Sequence, residues 1–140
     1  MIRKSTSGFF YQLGQSPISW SSKKQVSVAL SSTEAEYVSA AYASQEAVWL
    51  RQLLDDLGAA ATQPTLMYED NQGCIKLAAS EKTNARTKYI DIRHHHLRDL
   101  VDRGVLNFMY CERDKMVADT LTKPLPRLKF EELRTVMGLV

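Results

Sequence analysis

Hydrophobic and polar positions follow two different periods along this chain. Over residues 7–13 apolar and aromatic side chains cluster, a turn-forming stretch follows at 14–17, and apolar residues then alternate with serines over 18–21. This pattern predicts a β-hairpin with one buried face. After a polar turn Val26 and Val28 alternate again, so we expect two or three antiparallel strands to open the chain.

From residue 32 the period changes to that of a helix, which we expect to run from about Ser32 to Asp56 and to end at Gly58. Glu36 heads an apolar stripe that should face the core, whereas Glu34 lies about 200° away around the helix and should face water. The stripe continues through Ala40, Ala43, Ala47, Leu50 and Leu54.

An inward-facing carboxylate such as Glu36 has two explanations. A buried charge usually meets a cation, a metal ion or a network of hydrogen-bond donors, since burying it alone is costly. A helix-capping box, Ser or Thr followed three residues later by Glu, is the alternative. Ser31 with Glu34 and Thr33 with Glu36 both fit it, and the first pairing would leave Glu36 unexplained.

The rest of the chain predicts alternating strands and helices. The short strand at Thr65–Glu69 leads into a helix at about 71–79, with Asp70 at the junction. Asp70 suits either an ordinary helix N-cap or a functional group at the carboxyl end of a strand. The remaining predicted elements are a helix at about 89–103, a strand at 105–111, a short helix capped by Asp114 with Asp119 in its middle, and an amphipathic segment within 125–140.

Composition narrows the class of protein. A length of 140 residues suits one domain, and 44% apolar with 24% charged residues is ordinary for a soluble globular protein. No apolar run approaches the roughly 18 residues of a membrane span, so we expect an intracellular protein without membrane contact. Cys74 and Cys111 form no metal-binding pair motif, and reduced thiols are expected.

Positive charge is concentrated between Lys82 and Arg103, although the net charge is only +2. The cluster suits phosphate contacts, although a solvated helix face is the commoner explanation of such a charge pattern. His94-His95-His96 does not predict zinc, because consecutive helical residues point about 100° apart and cannot converge on one metal ion.

Taken together, six phrases closely resemble the ribonuclease H domain at the C-terminal end of the Pol polyprotein of copia-type retrotransposons. The likeness covers essentially the whole chain, in the right order. The phrases are Arg3-Lys4-Ser5-Thr6-Ser7-Gly8, Ile18-Ser19-Trp20-Ser21-Ser22-Lys23-Lys24-Gln25, Ser31-Ser32-Thr33-Glu34-Ala35-Glu36-Tyr37, Glu69-Asp70-Asn71-Gln72, Arg86-Thr87-Lys88-Tyr89-Ile90-Asp91-Ile92-Arg93 and Ala118-Asp119-Thr120-Leu121-Thr122-Lys123-Pro124-Leu125.

The resemblance implies an α/β ribonuclease H-like fold, with a mixed sheet of an antiparallel hairpin followed by parallel strands and helices on its faces. It implies cleavage of the RNA strand of RNA–DNA hybrids by two Mg²⁺ ions, for which Mn²⁺ could substitute. The implied partners are the hybrid and the reverse transcriptase domain of the parent polyprotein, which would act in a cytoplasmic virus-like particle or in the nucleus.

The resemblance also implies roles for particular residues. Glu36, Asp70 and Asp119 match the family's catalytic, metal-binding carboxylates. The basic segment becomes a set of candidate contacts to the hybrid backbone: Lys82, Arg86, Lys88 and Arg93.

The chain differs from the family at its N-terminus. In the family the phrase like Arg3–Gly8 follows a central first strand that carries the first catalytic aspartate, and the first aspartate here is Asp55. We therefore expect residues 1–140 to form a single, N-terminally truncated domain, inactive alone, and either unstable or completed by a strand from another chain. The alternative is a remnant that binds nucleic acid or protein without catalysis.

Overall fold

The described residues of the chain fold into four strands, four α-helices and two short 3₁₀ helices. A computed structural model describes residues 4–79 and 88–139. In chain order the elements are β1 (Thr6–Leu13), β2 (Ser16–Lys24), α1 (Ser32–Asp56), β3 (Thr65–Glu69), α2 (Gln72–Ala79), α3 (Lys88–Asp102), β4 (Leu106–Tyr110), 3₁₀ helices at Arg113–Lys115 and Val117–Leu121, and α4 (Arg127–Val136).

The strands form two separate pairs. β1 and β2 are antiparallel, with Phe10 opposite Trp20, and β3 and β4 are parallel, with Met67 opposite Phe108. The predicted α/β class, with an antiparallel hairpin followed by parallel strands, is therefore confirmed. In the part of the chain that the structure describes, no strand joins the two pairs.

The hairpin differs from its prediction in which side of β2 faces the protein. Ile18 and Trp20 are exposed, whereas the serines between and beside them face α1. Ser19 Oγ donates to Glu46 Oε1 at 2.8 Å, and Ser21 Oγ lies 3.2 Å from the Tyr42 hydroxyl. Polar partners on α1 thus set the orientation of β2, and the buried aromatic surface comes from β1.

No third strand forms at Val26 and Val28, because the chain leaves the hairpin at Gln25. The buried Gln25 side chain donates to Ser7 Oγ and to the carbonyl oxygen of Ala35, each at 3.0 Å. These two bonds tie the segment to the start of α1 rather than to a sheet edge.

α1 begins with one of the two capping boxes that the sequence allows. Ser31 Oγ accepts from the Glu34 amide at 3.1 Å, and Glu34 Oε2 accepts from the Leu30 amide at 2.8 Å. Glu36 takes no part in this cap, so the capping explanation accounts for Glu34 alone. At the other end Gly58 adopts the left-handed conformation, with φ of +79°, that a helix C-terminus favours.

The core lies where α1, α2 and α3 pack against β3 and β4. Small residues on α1 allow close approach, and larger side chains from α3 and β4 fill the space between the layers. The buried cluster consists of Tyr37, Ala40, Ala41, Ala47, Cys74, Leu97, Leu100 and Leu106. None of the helices described is long and apolar enough to span a membrane.

The segment around Asp119 is less regular than predicted. In place of one short helix there are two 3₁₀ turns, separated by the extended Met116, and Asp114 makes no side-chain capping bond. The second turn lies against β1: a Cβ atom added to Gly8 would stand 2.6 Å from Thr122 Cγ2. Gly8 is therefore required for this close contact.

The capping box predicts a measurable contribution to stability. Ser31→Ala should lower the free energy of unfolding by about 1 kcal/mol, because the Glu34 amide loses its acceptor. Urea denaturation followed by circular dichroism checks this, with Ser32→Ala as the matched control, expected within about 0.5 kcal/mol of the parent chain. Equal losses from both substitutions would contradict the assigned cap.

Candidate metal centre

Three carboxylates meet where the start of α1 faces the end of β3. Glu36 comes from the second turn of α1, Glu69 is the last residue of β3, and Asp70 follows it. One oxygen of each lies within 4.8 Å of the others. These three residues are called the acidic cluster below. Glu36 and Asp70 are half-buried, and Glu69 is buried.

Glu69 is the member that sequence reasoning missed. It is only 6% exposed, because alternation along β3 turns it inward with Met67, whereas Leu66 and Tyr68 point outward. Its Oε1 also accepts a hydrogen bond from the Asn71 amide at 3.0 Å. The sequence did contain a signal for this, because Met67 and Glu69 share one face of β3 and an inward Met67 implies an inward Glu69.

Asp70 does not cap the helix that follows it. Asn71 does so instead, since its Oδ1 accepts from the Cys74 amide at 2.8 Å. Asp70 Oδ2 lies 3.4 Å from Arg113 Nε, and the Asp70 side chain is 11% exposed. The capping explanation for Asp70 is therefore wrong.

Asp119 lies beside the acidic cluster but is not one of its three residues. Its Oδ2 lies 3.1 Å from Lys123 Nζ, one helical turn further along. Its negative charge is near enough to act on Glu36. Arg113 and Lys123 thus each hold one carboxylate at the edge of the site.

Burial and mutual repulsion shift the ionisation of the inner carboxylates. Burial first, and then the charges of Asp70 and Asp119, raise the pKa of Glu36. Burial, followed by the charge of Glu36, raises the pKa of Glu69 from an ordinary 4.5 to about 8. The raised pKa values favour a proton on this pair, and such a proton would relieve the repulsion between Glu69 and Glu36 that a cation could relieve instead.

The donor atoms of the acidic cluster suit a hard divalent cation. All three are carboxylate oxygens, which Mg²⁺ and Mn²⁺ prefer, and the cluster as described contains no imidazole or thiolate to favour zinc. Since Mg²⁺ usually keeps several water ligands, a few convergent carboxylates are enough to hold it. The residues present therefore fit the predicted magnesium ions.

The four side chains that were predicted to contact nucleic acid are not among those that the structure describes. Lys82 and Arg86 lie outside the described residues, and of Lys88 and Arg93 only the backbone is described, in α3. Their contacts with a hybrid stay a prediction from the sequence.

Comparison with known proteins finds homologues of this α/β chain among retrotransposon Pol polyproteins. It is 44% identical over 135 residues to the retrovirus-related Pol polyprotein from transposon RE1 of Arabidopsis thaliana, and 42% identical over 136 residues to that from transposon RE2 of the same plant. It is 39% identical over 137 residues to the Pol polyprotein from transposon TNT 1-94 of Nicotiana tabacum. No family model and no solved structure matches the chain.

These matches cover 96% to 98% of the chain and only 9% to 10% of the polyproteins. The homologues of this chain are therefore retrovirus-related Pol polyproteins, and the chain corresponds to about a tenth of their length. The predicted resemblance to a retrotransposon Pol polyprotein is therefore confirmed.

The raised pKa of Glu69 predicts a pH dependence of stability. The folded chain holds a proton on Glu69 that the unfolded chain releases, so stability should fall as pH rises from about 4.5 to about 8. Glu69→Gln should flatten this fall, because its amide does not titrate. Thermal unfolding across that pH range in a metal-free buffer measures the effect, with the exposed Glu132→Gln as control. An unchanged slope in Glu69→Gln would contradict the assignment.

Proposed function

We propose that the chain is a ribonuclease H-type segment of a retrotransposon Pol polyprotein, which hydrolyses the RNA strand of RNA–DNA hybrids in its complete form. The proposal depends chiefly on the acidic cluster: oxygens of Glu36, Glu69 and Asp70 within 4.8 Å at the carboxyl end of a parallel strand. Homology to Pol polyproteins over 96% of the chain supports the biological setting.

Each carboxylate has a role in this proposal. Glu36 and Asp70 would hold the divalent cations, Asp119 on the second 3₁₀ helix would support them, and Glu69 would join as a ligand in its deprotonated form. Two bound magnesium ions supply an activated water and stabilise the leaving oxygen in this type of reaction. Arg113 and Lys123, which neutralise Asp70 and Asp119, are then placed to contact phosphate oxygens of the substrate.

The proposed substrate and setting follow from the parent polyprotein. An RNA–DNA hybrid would be bound through its phosphates and shape, with the basic segment as the contacting surface. The reverse transcriptase domain of the parent would supply the hybrid, in a cytoplasmic virus-like particle or in the nucleus.

The isolated chain should nevertheless be inactive. Neither β1 nor β2 contains an aspartate or a glutamate. The hairpin therefore contributes no metal ligand of the kind that the other elements supply. The alternative function is a remnant of the domain that binds nucleic acid or protein without cleaving it.

Metal binding should depend on the acidic cluster. Mn²⁺ titrated into the chain and followed by isothermal calorimetry should bind, and Glu36→Gln or Asp70→Asn should weaken binding at least about tenfold, because each removes a charge as well as a ligand. Asp55→Asn, which changes an exposed carboxylate near the far end of α1, is the matched control. The same loss in Asp55→Asn, or no binding by the parent chain, would contradict the centre.

Cleavage is expected to be absent from the 140-residue chain. Incubation with Mg²⁺ and an end-labelled RNA–DNA hybrid should leave the RNA strand intact, whereas the filter-binding affinity for the hybrid should fall as salt rises. Magnesium-dependent cleavage that Asp70→Asn abolishes would show that the chain alone is a complete enzyme. An affinity independent of salt would exclude phosphate contacts.

A further inference from the structure

The hairpin of β1 and β2 contains no carboxylate, yet it packs against the turn that carries Asp119. Gly8 of β1 and Ser22 of β2 lie directly opposite each other in the hairpin. Both contact the second 3₁₀ helix, Val117–Leu121, or the residue that follows it. One place on the hairpin thus holds the segment in which Asp119 lies.

Gly8 admits this segment because it has no side chain. A Cβ atom added there would lie 2.6 Å from Thr122 Cγ2, well inside the 3.5 to 4.0 Å or so at which carbon atoms pack. It would also lie 3.3 Å from Leu121 Cβ and 3.4 Å from the Ala118 carbonyl oxygen. Because the φ angle of Gly8 is not positive, alanine would meet no backbone strain and would act through these contacts.

Ser22 adds a directional contact to the same segment. Its hydroxyl donates a hydrogen bond to the Leu121 carbonyl oxygen. Leu121 ends the second 3₁₀ helix, two residues after Asp119, so this bond fixes the end of the turn against β2. The contact at Gly8 and the bond from Ser22 together determine how closely the turn approaches the hairpin.

Thr122 connects the contact at Gly8 to the backbone of Asp119. The Thr122 amide donates to the Asp119 carbonyl oxygen at 3.2 Å, and the Thr122 hydroxyl donates to the same oxygen at 3.4 Å. The Lys123 amide is a further donor to it, at 3.2 Å. A displacement of Thr122 away from β1 would therefore be passed on to Asp119.

The hairpin is also bonded to α1, the helix that carries Glu36. Tyr11 of β1 donates through its hydroxyl to the Ala43 carbonyl oxygen at 2.7 Å. The Asp119 side chain is 16% exposed, and its charge acts on Glu36. Since α1 and the turn both pack on the hairpin, the separation of Glu36 and Asp119 depends on it.

We propose that Gly8 and Ser22 are positioning residues of the candidate metal centre, which hold Asp119 beside Glu36 so that both carboxylates can serve the divalent cations. The inference rests on the proposed metal-binding function and extends it to the hairpin, which supplies no ligand itself. Residues that orient metal ligands commonly change metal affinity by about 10- to 100-fold when they are replaced.

The Mn²⁺ affinity of the whole chain tests this role. Gly8→Ala should weaken Mn²⁺ binding about tenfold in isothermal calorimetry, because the added methyl group moves Thr122 and with it Asp119. Ser7→Ala is the matched control on the same strand. It removes an acceptor of the Gln25 side chain on the opposite face of β1, so it should lower stability and leave the affinity unchanged.

A compensating variant separates positioning from general damage to the fold. Thr122→Ser removes the Cγ2 atom that lies nearest to Gly8 and keeps the hydroxyl that bonds to the Asp119 carbonyl. Gly8→Ala combined with Thr122→Ser should therefore recover most of the lost affinity. If Gly8→Ala fails to fold, Ser22→Ala provides the same comparison, with Ser22→Thr as the control that keeps the hydroxyl.

The effect should also depend on Asp119 itself. In the Asp119→Asn chain, Gly8→Ala should weaken Mn²⁺ binding no further, because the carboxylate that it displaces is already absent. An equal loss in that chain would overturn this proposal, as would an affinity unchanged by Gly8→Ala, or by Ser22→Ala where Gly8→Ala does not fold. These outcomes leave Mn²⁺ binding by the parent chain, and so the proposed function, intact. Failure of the parent chain to bind Mn²⁺ would instead contradict the metal centre, and this proposal with it.

Discussion

Repulsion among carboxylates at one end of the molecule is the constraint on which this account depends. Glu36 and Glu69 come from different elements, and both are drawn out of water, which disfavours their charged forms. The pKa values of both are raised, and Arg113 and Lys123 lie beside the outer acids Asp70 and Asp119. This arrangement costs stability in the absence of a cation, which is a common feature of functional sites.

The same end of the molecule carries the opening between the strand pairs. The acidic cluster lies where β3 ends, and the groove between β1 and β3 leads to it.

The sequence predicted the elements well where local signals were strong. The bounds of α1 follow from a serine cap and a terminal glycine, and those of β3 from a short alternating run. The prediction from the sequence failed where tertiary contacts determine which side chains are buried and where a strand ends. Trp20 faces solvent because its serine neighbours bond to α1, and Val26 leaves the sheet because the Gln25 side chain bonds to Ser7 and Ala35.

In the candidate site as well, local signals in the sequence pointed to some residues and missed one that depends on tertiary contacts. Glu36 could be singled out from helical periodicity, Asp70 from its place at a strand end and Asp119 from its apolar neighbours in a predicted helix. The resemblance then implied a catalytic role for all three. Glu69 was missed, because two acids in succession at a strand end point to opposite sides and the sequence does not say which side is buried.

The central claim is that folding gathers these carboxylates around a divalent cation. The most direct measurement is a crystal structure of the chain grown with Mn²⁺, with the ion located by its anomalous scattering. The account predicts an anomalous peak in contact with Glu36 and Asp70. A structure in which these carboxylates stand apart, or in which they meet while Mn²⁺ lies only elsewhere, would contradict it.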